Sequence, residues 1–148
     1  MYTIWKRTAG PPTMLLFDAP NRETCTVRRA RTNTPLQALA LLNEPTFVEA
    51  AHGLARRMLA DAGPDPAARI DHAFRLVLAR PAAAEELATL VAGYAADRAR
   101  FTADPAAAAR YTAVGLVPPP AGSDAAEFAA CSLAASVILN LDECVMRE

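Results

Sequence analysis

The sequence predicts an all-α fold of five or six helices that carries an irregular, extended N-terminal arm packed on the C-terminal helix. Three observations lead there. Alanine supplies 35 of 148 residues and aromatic residues only 6%, a composition that favours helix over a strand-rich core. From residue 45 onward apolar residues recur at i, i+3, i+4 and i+7, the spacing of one buried helix face. Thr34-Pro35, Asp65-Pro66 and Asp104-Pro105 pair a capping residue with a proline at the first helical position, and such pairs start helices. At this length, with 53% hydrophobic residues, residues 1–148 read as a single domain, divided into a basic arm (1–34) and a helical body (35–148).

The arm holds six basic residues (Lys6, Arg7, Arg22, Arg28, Arg29, Arg31) against Asp18 and Glu23, about +4. Pro11, Pro12 and Pro20 break it up, and Met14–Phe17 and Cys25–Val27 are short β-prone pieces. Thr34 then opens a capping box with Gln37, and a short helix runs to about Asn43. Asn43-Glu44-Pro45 interrupts it. A second helix follows on Phe47, Val48, Ala51, Leu54, Ala55, Met58 and Leu59 and ends near Gly63-Pro64. A third carries Ile70, Ala73, Phe74, Val77 and Leu78 on one face, and at Arg80-Pro81 it gives way to a fourth with Leu87, Leu90, Val91, Tyr94 and Phe101. Asp104 caps a short Ala-rich helix to about Ala113, and residues 115–122, with three consecutive prolines, form a loop. The last helix is expected from Ser123 or Asp124 to about Val145, with Asp124 and Glu127 at capping-box spacing. It is apolar on every side, the pattern of a central helix. Residues 121–148 carry five acids against Arg147, about −4, complementary to the arm, so the termini are expected to meet.

Several classes of function are excluded or disfavoured. The start lacks the apolar run and small-residue cleavage site of a signal peptide. The longest uncharged apolar stretch falls short of the ~20 residues of a membrane span. Cys25, Cys131 and Cys144 have neither zinc-site spacing nor the CxxCH of haem attachment, and His52 and His72 stand alone as surface or boundary residues, so no metal site is predicted. On one straight helix Cys131 and Cys144 lie roughly 20 Å apart, too far for a disulfide. Nucleic-acid binding, the third-ranked reading, rests on Arg28-Arg29-Ala30-Arg31 beside a helix-break-helix, but the exposed Glu49, His52, Arg56 and Arg57 are too mixed for a recognition helix.

Two polar groups stand out as candidate ligand or interaction residues. The first is Asp18, Arg22, Arg28, Arg29, Arg31 and Asn33, whose guanidinium forks suit a carboxylate, phosphate or sulfate. The second is Asn140, Asp142 and Glu143, where acids at a helix C-terminus oppose the macrodipole unless compensated. The favoured reading ties the two together as an ion-paired cap. An acid closing a buried pair would cost on the order of 3–5 kcal/mol when removed. No catalytic residue emerges.

The runs Tyr2-Thr3-Ile4-Trp5-Lys6-Arg7, Phe17-Asp18-Ala19-Pro20-Asn21-Arg22-Glu23-Thr24-Cys25-Thr26-Val27-Arg28-Arg29 and Arg31-Thr32-Asn33-Thr34-Pro35-Leu36-Gln37-Ala38-Leu39 carry a resemblance. So do Leu42-Asn43-Glu44-Pro45, Leu139-Asn140-Leu141-Asp142-Glu143 and Arg147-Glu148. In order and wording they resemble the C-terminal portion of the cytochrome-associated domain of unknown function 1553, a family abundant in planctomycetes. The resemblance implies the C-terminal module of large exported, periplasmic proteins. In these the domain follows a cytochrome c-like domain and a companion domain, sometimes with carbohydrate-binding modules or sulfatase-like neighbours. It implies no catalytic residue. No cofactor is expected in this chain, haem c belonging to an upstream segment of full-length relatives. The chain begins inside the domain, at the YTIWKR motif, so a C-terminal fragment is expected, with Tyr2, Ile4 and Trp5 covered by upstream sequence. Cys131 and Cys144 depart from the family pattern, standing where a bulky residue is expected. The expected function is thus a scaffold or interaction domain of an exported, cytochrome c-linked protein tied to polysaccharide use, with the upstream domains as partners. The alternative is a domain that binds or hydrolyses a sulfated or acidic glycan through the arginine arm, with Asp142 or Glu143 as acid or base.

Overall fold

The computed structural model describes residues 5–6, 10–20, 23–28, 30 and 32–146. Among these the regular elements are helices: α1 (Pro12–Leu16), α2 (Pro35–Asn43), α3 (Pro45–Asp61), α4 (Pro66–Leu78), α5 (Ala84–Ala103), α6 (Pro105–Thr112), α7 (Ala125–Leu139) and α8 (Asp142–Val145). The all-α class is as predicted, with eight helices in place of five or six; α1 and α8 are the short additions. Proline opens α1, α2, α3, α4 and α6, where its fixed φ is preorganised and its missing N–H costs no hydrogen bond.

α7 is the axis of the molecule and touches α2, α3, α4, α5, α6 and α8. Ten of its fifteen residues are buried, most of them Ala, Ser or Cys, and small side chains let neighbouring helices approach closely on several sides. Larger residues supply the bulk of the core: Met58 from α3, Ile70 and Phe74 from α4, and Phe128 and Ile138 from α7 itself. A second cluster joins Phe101, Ala108, Ala126 and Ala129, with Tyr111 against it. No helix among the described residues is long and apolar enough to cross a membrane.

Four local expectations are corrected. Met14–Phe17, read as β-prone, forms the end of the helical turn α1, because Pro11-Pro12 presets helical φ and the Leu15 and Phe17 N–H groups close back on the Pro11 and Thr13 carbonyls at 3.1 and 3.2 Å. The fourth expected helix starts at Ala84 rather than Arg80. Ala79 adopts the left-handed conformation (φ 57°) that ends α4, Pro81 disfavours helix at Arg80 before it, and the Ala83 N–H is capped by the Glu86 carboxylate at 2.7 Å. The last helix breaks at Asn140, whose side-chain amide reaches the Ala38 carbonyl of α2 at 3.4 Å. Cys131 and Cys144 therefore stand on different helices. Finally, Glu127 does not close a capping box with Asp124: Asp124 caps through the Ala126 N–H, and Glu127 takes Arg69 of α4 at 2.8 Å.

The arm lies first on α2 and α3 and reaches the C-terminus from there. Phe17 meets the Phe47 ring edge-on at 5.5 Å, and Asn33 bonds Asp142 across 109 residues of sequence. Trp5 packs against Gly10 so closely that a β-carbon there would stand 2.6 Å from the indole.

Candidate functional site

The candidate residues are placed by the junction of arm, α2 and α8. Its anchor is the capping box of α2: Thr34 Oγ1 accepts from the Gln37 N–H at 3.3 Å, and Gln37 Oε1 accepts from the Thr34 N–H at 2.8 Å. Gln37 is buried and does more than cap. Its Nε2 donates to the Leu16 carbonyl at 2.8 Å and to Thr32 Oγ1 at 3.1 Å, so one amide ties the middle and the end of the arm to the helix start. Asp18, left-handed at φ 59° as Asp tolerates better than most residues, accepts from the N–H and hydroxyl of Thr32 at 2.8 and 2.7 Å. The same threonine thus joins Asp18 and Gln37.

On the other side, Asn33 Nδ2 donates to Asp142 Oδ1 at 2.6 Å. Among the described residues the partner of Glu143 is Arg80 rather than an arm residue. The carboxylate receives Arg80 in a two-point contact at 2.9 and 2.7 Å, while the same guanidinium holds Glu86 at 2.8 Å through both terminal nitrogens. The Arg80 guanidinium carbon also lies 5.2 Å from the centre of the Phe74 ring. Because the helix breaks at Asn140, Asp142 and Glu143 sit in the first turn of α8. The dipole conflict expected for them at a helix end does not arise.

Sequence reasoning missed Arg80, reading it only as part of a helix stop, and saw in Gln37 only a cap. The excess of acids after residue 121 was a signal that some cation must meet them. Among the described residues Arg80 meets Glu143, and the arm meets Asp142 through Asn33. Arg28 is exposed, and Arg22, Arg29 and Arg31, like Tyr2 and Ile4, lie outside the described residues.

Electrostatics follow the geometry. Arg80, and then the Ala83 N–H, pull the Glu86 carboxyl down to about 2. Arg80 lowers Glu143 as well, and the two carboxylates raise Arg80 in return. Both glutamates therefore stay ionised at neutral pH and are poor proton donors.

Away from the junction, His52 departs from its expected surface or boundary place. It is 2% exposed, wedged between Tyr111 and Phe128 at 5.4 and 5.5 Å, and burial lowers its pKa. Cys131 is also fully buried, and desolvation pushes its thiol up to about 11, the condition of an inert packing cysteine. Among the described residues no three His, Cys, Asp or Glu side chains are grouped to hold a metal.

The model of the family described as PSD1, protein of unknown function (DUF1553), matches residues 1–94. The chain belongs to the DUF1553 family. The match takes in the arm, α2, α3, α4 and the first half of α5, including Asp18, Thr32, Asn33, Gln37, Arg80 and Glu86. Asn140, Asp142 and Glu143 lie beyond it, so in this DUF1553 chain the matched portion closes on α8 through Asn33 and Arg80. No curated protein and no solved structure matched the chain.

Proposed function

We propose that this DUF1553 chain is a scaffold and interaction module of a larger exported, cytochrome c-linked protein serving polysaccharide use, with the haem held by an upstream segment. One observation carries the reading. Helix α2 has no charged residue, and its Leu36, Leu39 and Leu42, at successive i+3 positions, are 60%, 57% and 43% exposed. The adjoining α1 adds exposed Met14 and Leu15. An uncharged helix stripe of this kind is a surface built to be covered by another protein. The polar candidates support the same side: among the described residues Asp18 is engaged with Thr32, Asn33 with Asp142 and Glu143 with Arg80.

The test is association of this chain with the separately produced cytochrome-bearing segment of the same gene, followed by calorimetry. Binding in the micromolar range or tighter, lost in Leu39→Glu, is expected. Absence of association, or binding that Leu39→Glu leaves unchanged, overturns the reading. Salt-sensitive retention on a sulfated polysaccharide, lost in Arg28→Ala, would instead favour the anionic-glycan alternative.

A further inference from the structure

A separate feature lies beneath the arm. Where Phe17 meets α2, α3, α7 and α8 there is a cavity of about 330 Å³ walled by Phe17, Leu41, Phe47 and Leu139, with Ser136 and Cys144 contributing heteroatoms. Among the described residues no charged side chain lines it. Its α8 wall is pinned from outside by the Asn33–Asp142 and Arg80–Glu143 contacts, so the space is formed before anything enters.

Ser136 is the unusual member. Ser132, one turn earlier on the same helix, gives its hydroxyl to the Phe128 carbonyl at 2.8 Å, the ordinary way a serine is satisfied within a helix. Ser136 is only 4% exposed, yet its hydroxyl makes no hydrogen bond with any described residue, and the side chain lines the cavity. A half-open apolar pocket of this size with one convergent polar group is a common form of small-molecule site. With no cationic or anionic partner among the described residues, a charged ligand is unfavourable, because its desolvation would go uncompensated.

We propose that this cavity binds a small, uncharged, apolar molecule bearing a single hydroxyl or carbonyl group, of the class of a medium-chain alcohol, with that group hydrogen-bonded to Ser136 Oγ. The inference is independent of the scaffold reading. It is tested on the whole chain with 1-octanol as the probe, by titration calorimetry and by the shift in melting temperature, since a ligand of the folded state alone must raise it. Saturable one-to-one binding is expected. Ser136→Ala should weaken it about fivefold to tenfold, the worth of one hydrogen bond. Ala50→Trp, an exposed position on the cavity wall, should abolish it while leaving the helical circular dichroism unchanged. Should Ala50→Trp fail to fold, Ala50→Leu takes its place, with binding expected to weaken rather than vanish. Octanoate should bind far more weakly than octanol. No saturable binding, unaltered affinity in the cavity-filling variant, or octanoate binding as well as octanol would each overturn the proposal.

Discussion

Asp142 shows how burial sets the size of an effect. Paired with a buried arginine it would be worth several kcal/mol, but it is exposed and its described partner is the neutral amide of Asn33. Asp142→Ala should therefore cost no more than about 1 kcal/mol. Urea unfolding checks this, and a loss several times larger would mean that a buried pair exists after all. His52 is the opposite case, a titratable ring sealed among aromatics. Burial is the main cause of its lowered pKa; the Arg56 charge adds to the lowering, while the Val114 backbone and Glu49 oppose it. The unfolded chain takes up a proton near 6.5 and the folded chain only at lower pH. Stability is thus fully present above about pH 6.5 and falls as the pH drops from there towards the folded value. His52→Phe should flatten that part of the stability–pH curve, as measured by melting temperature between pH 7 and 5.

Among the elements, the end of α4 stores identifiable strain. Ala79 occupies the left-handed region at φ 57°, where a β-carbon crowds the following carbonyl oxygen at a cost of roughly 1–2 kcal/mol that glycine avoids. Ala79→Gly should raise stability by about 1 kcal/mol in thermal or chemical unfolding, the larger entropy of the unfolded glycine offsetting part of the relief. The position matters because Arg80 follows it. The sharp turn at Ala79, kept non-helical by Pro81, aims the guanidinium across the end of α4 towards both Glu86 and Glu143. Elsewhere, too, turns are fixed by contacts distant in sequence. Gly115, at φ 96° and against the Glu49 side chain, lets the Leu116 and Val117 N–H groups reach the Glu49 carboxylate at 3.0 and 3.2 Å, tying the proline loop to α3.

At the scale of the molecule, Arg80 is a clasp between the start of α5 and α8. Its glutamates titrate below their ordinary value of 4.5, Glu86 down to about 2. Because their folded pKa values are lowered, the clasp contributes fully above about pH 4.5 and is lost as the pH falls towards 2. Arg80→Ala should lower the melting temperature at neutral pH, and its difference from the parent chain should shrink through that interval. A constant difference down to pH 2 would show that Arg80 acts through its packing on Phe74 alone. High salt should narrow the difference at neutral pH, since the groups are partly open to solvent.

Much of this architecture was legible in one dimension, because it depends on residues close together in the chain. Proline beside a capping side chain marks helix starts at Thr34, Asp65 and Asp104, and apolar periodicity marks the buried faces of α3 and α4. A segment apolar on every side, as in α7, has to be central. The family resemblance was carried by motifs in the arm, at the start of α2 and near the C-terminus, and the family match covers the first two of these within residues 1–94. Other features depended on which distant groups meet. The Asn140 side chain finds a carbonyl on α2, and the last helix breaks there. Glu143 finds Arg80, 63 residues away in the chain, and His52 closes under Tyr111. Ser136 and Ser132 look alike in the sequence, four residues apart on one helix, and differ only in what faces them. Local sequence determined the helices, their caps and the central place of α7, because those energies arise within a few residues. Tertiary structure alone decided the ion-pair partners, the break before α8 and the apolar cavity, because each is made by atoms that only the completed fold brings together.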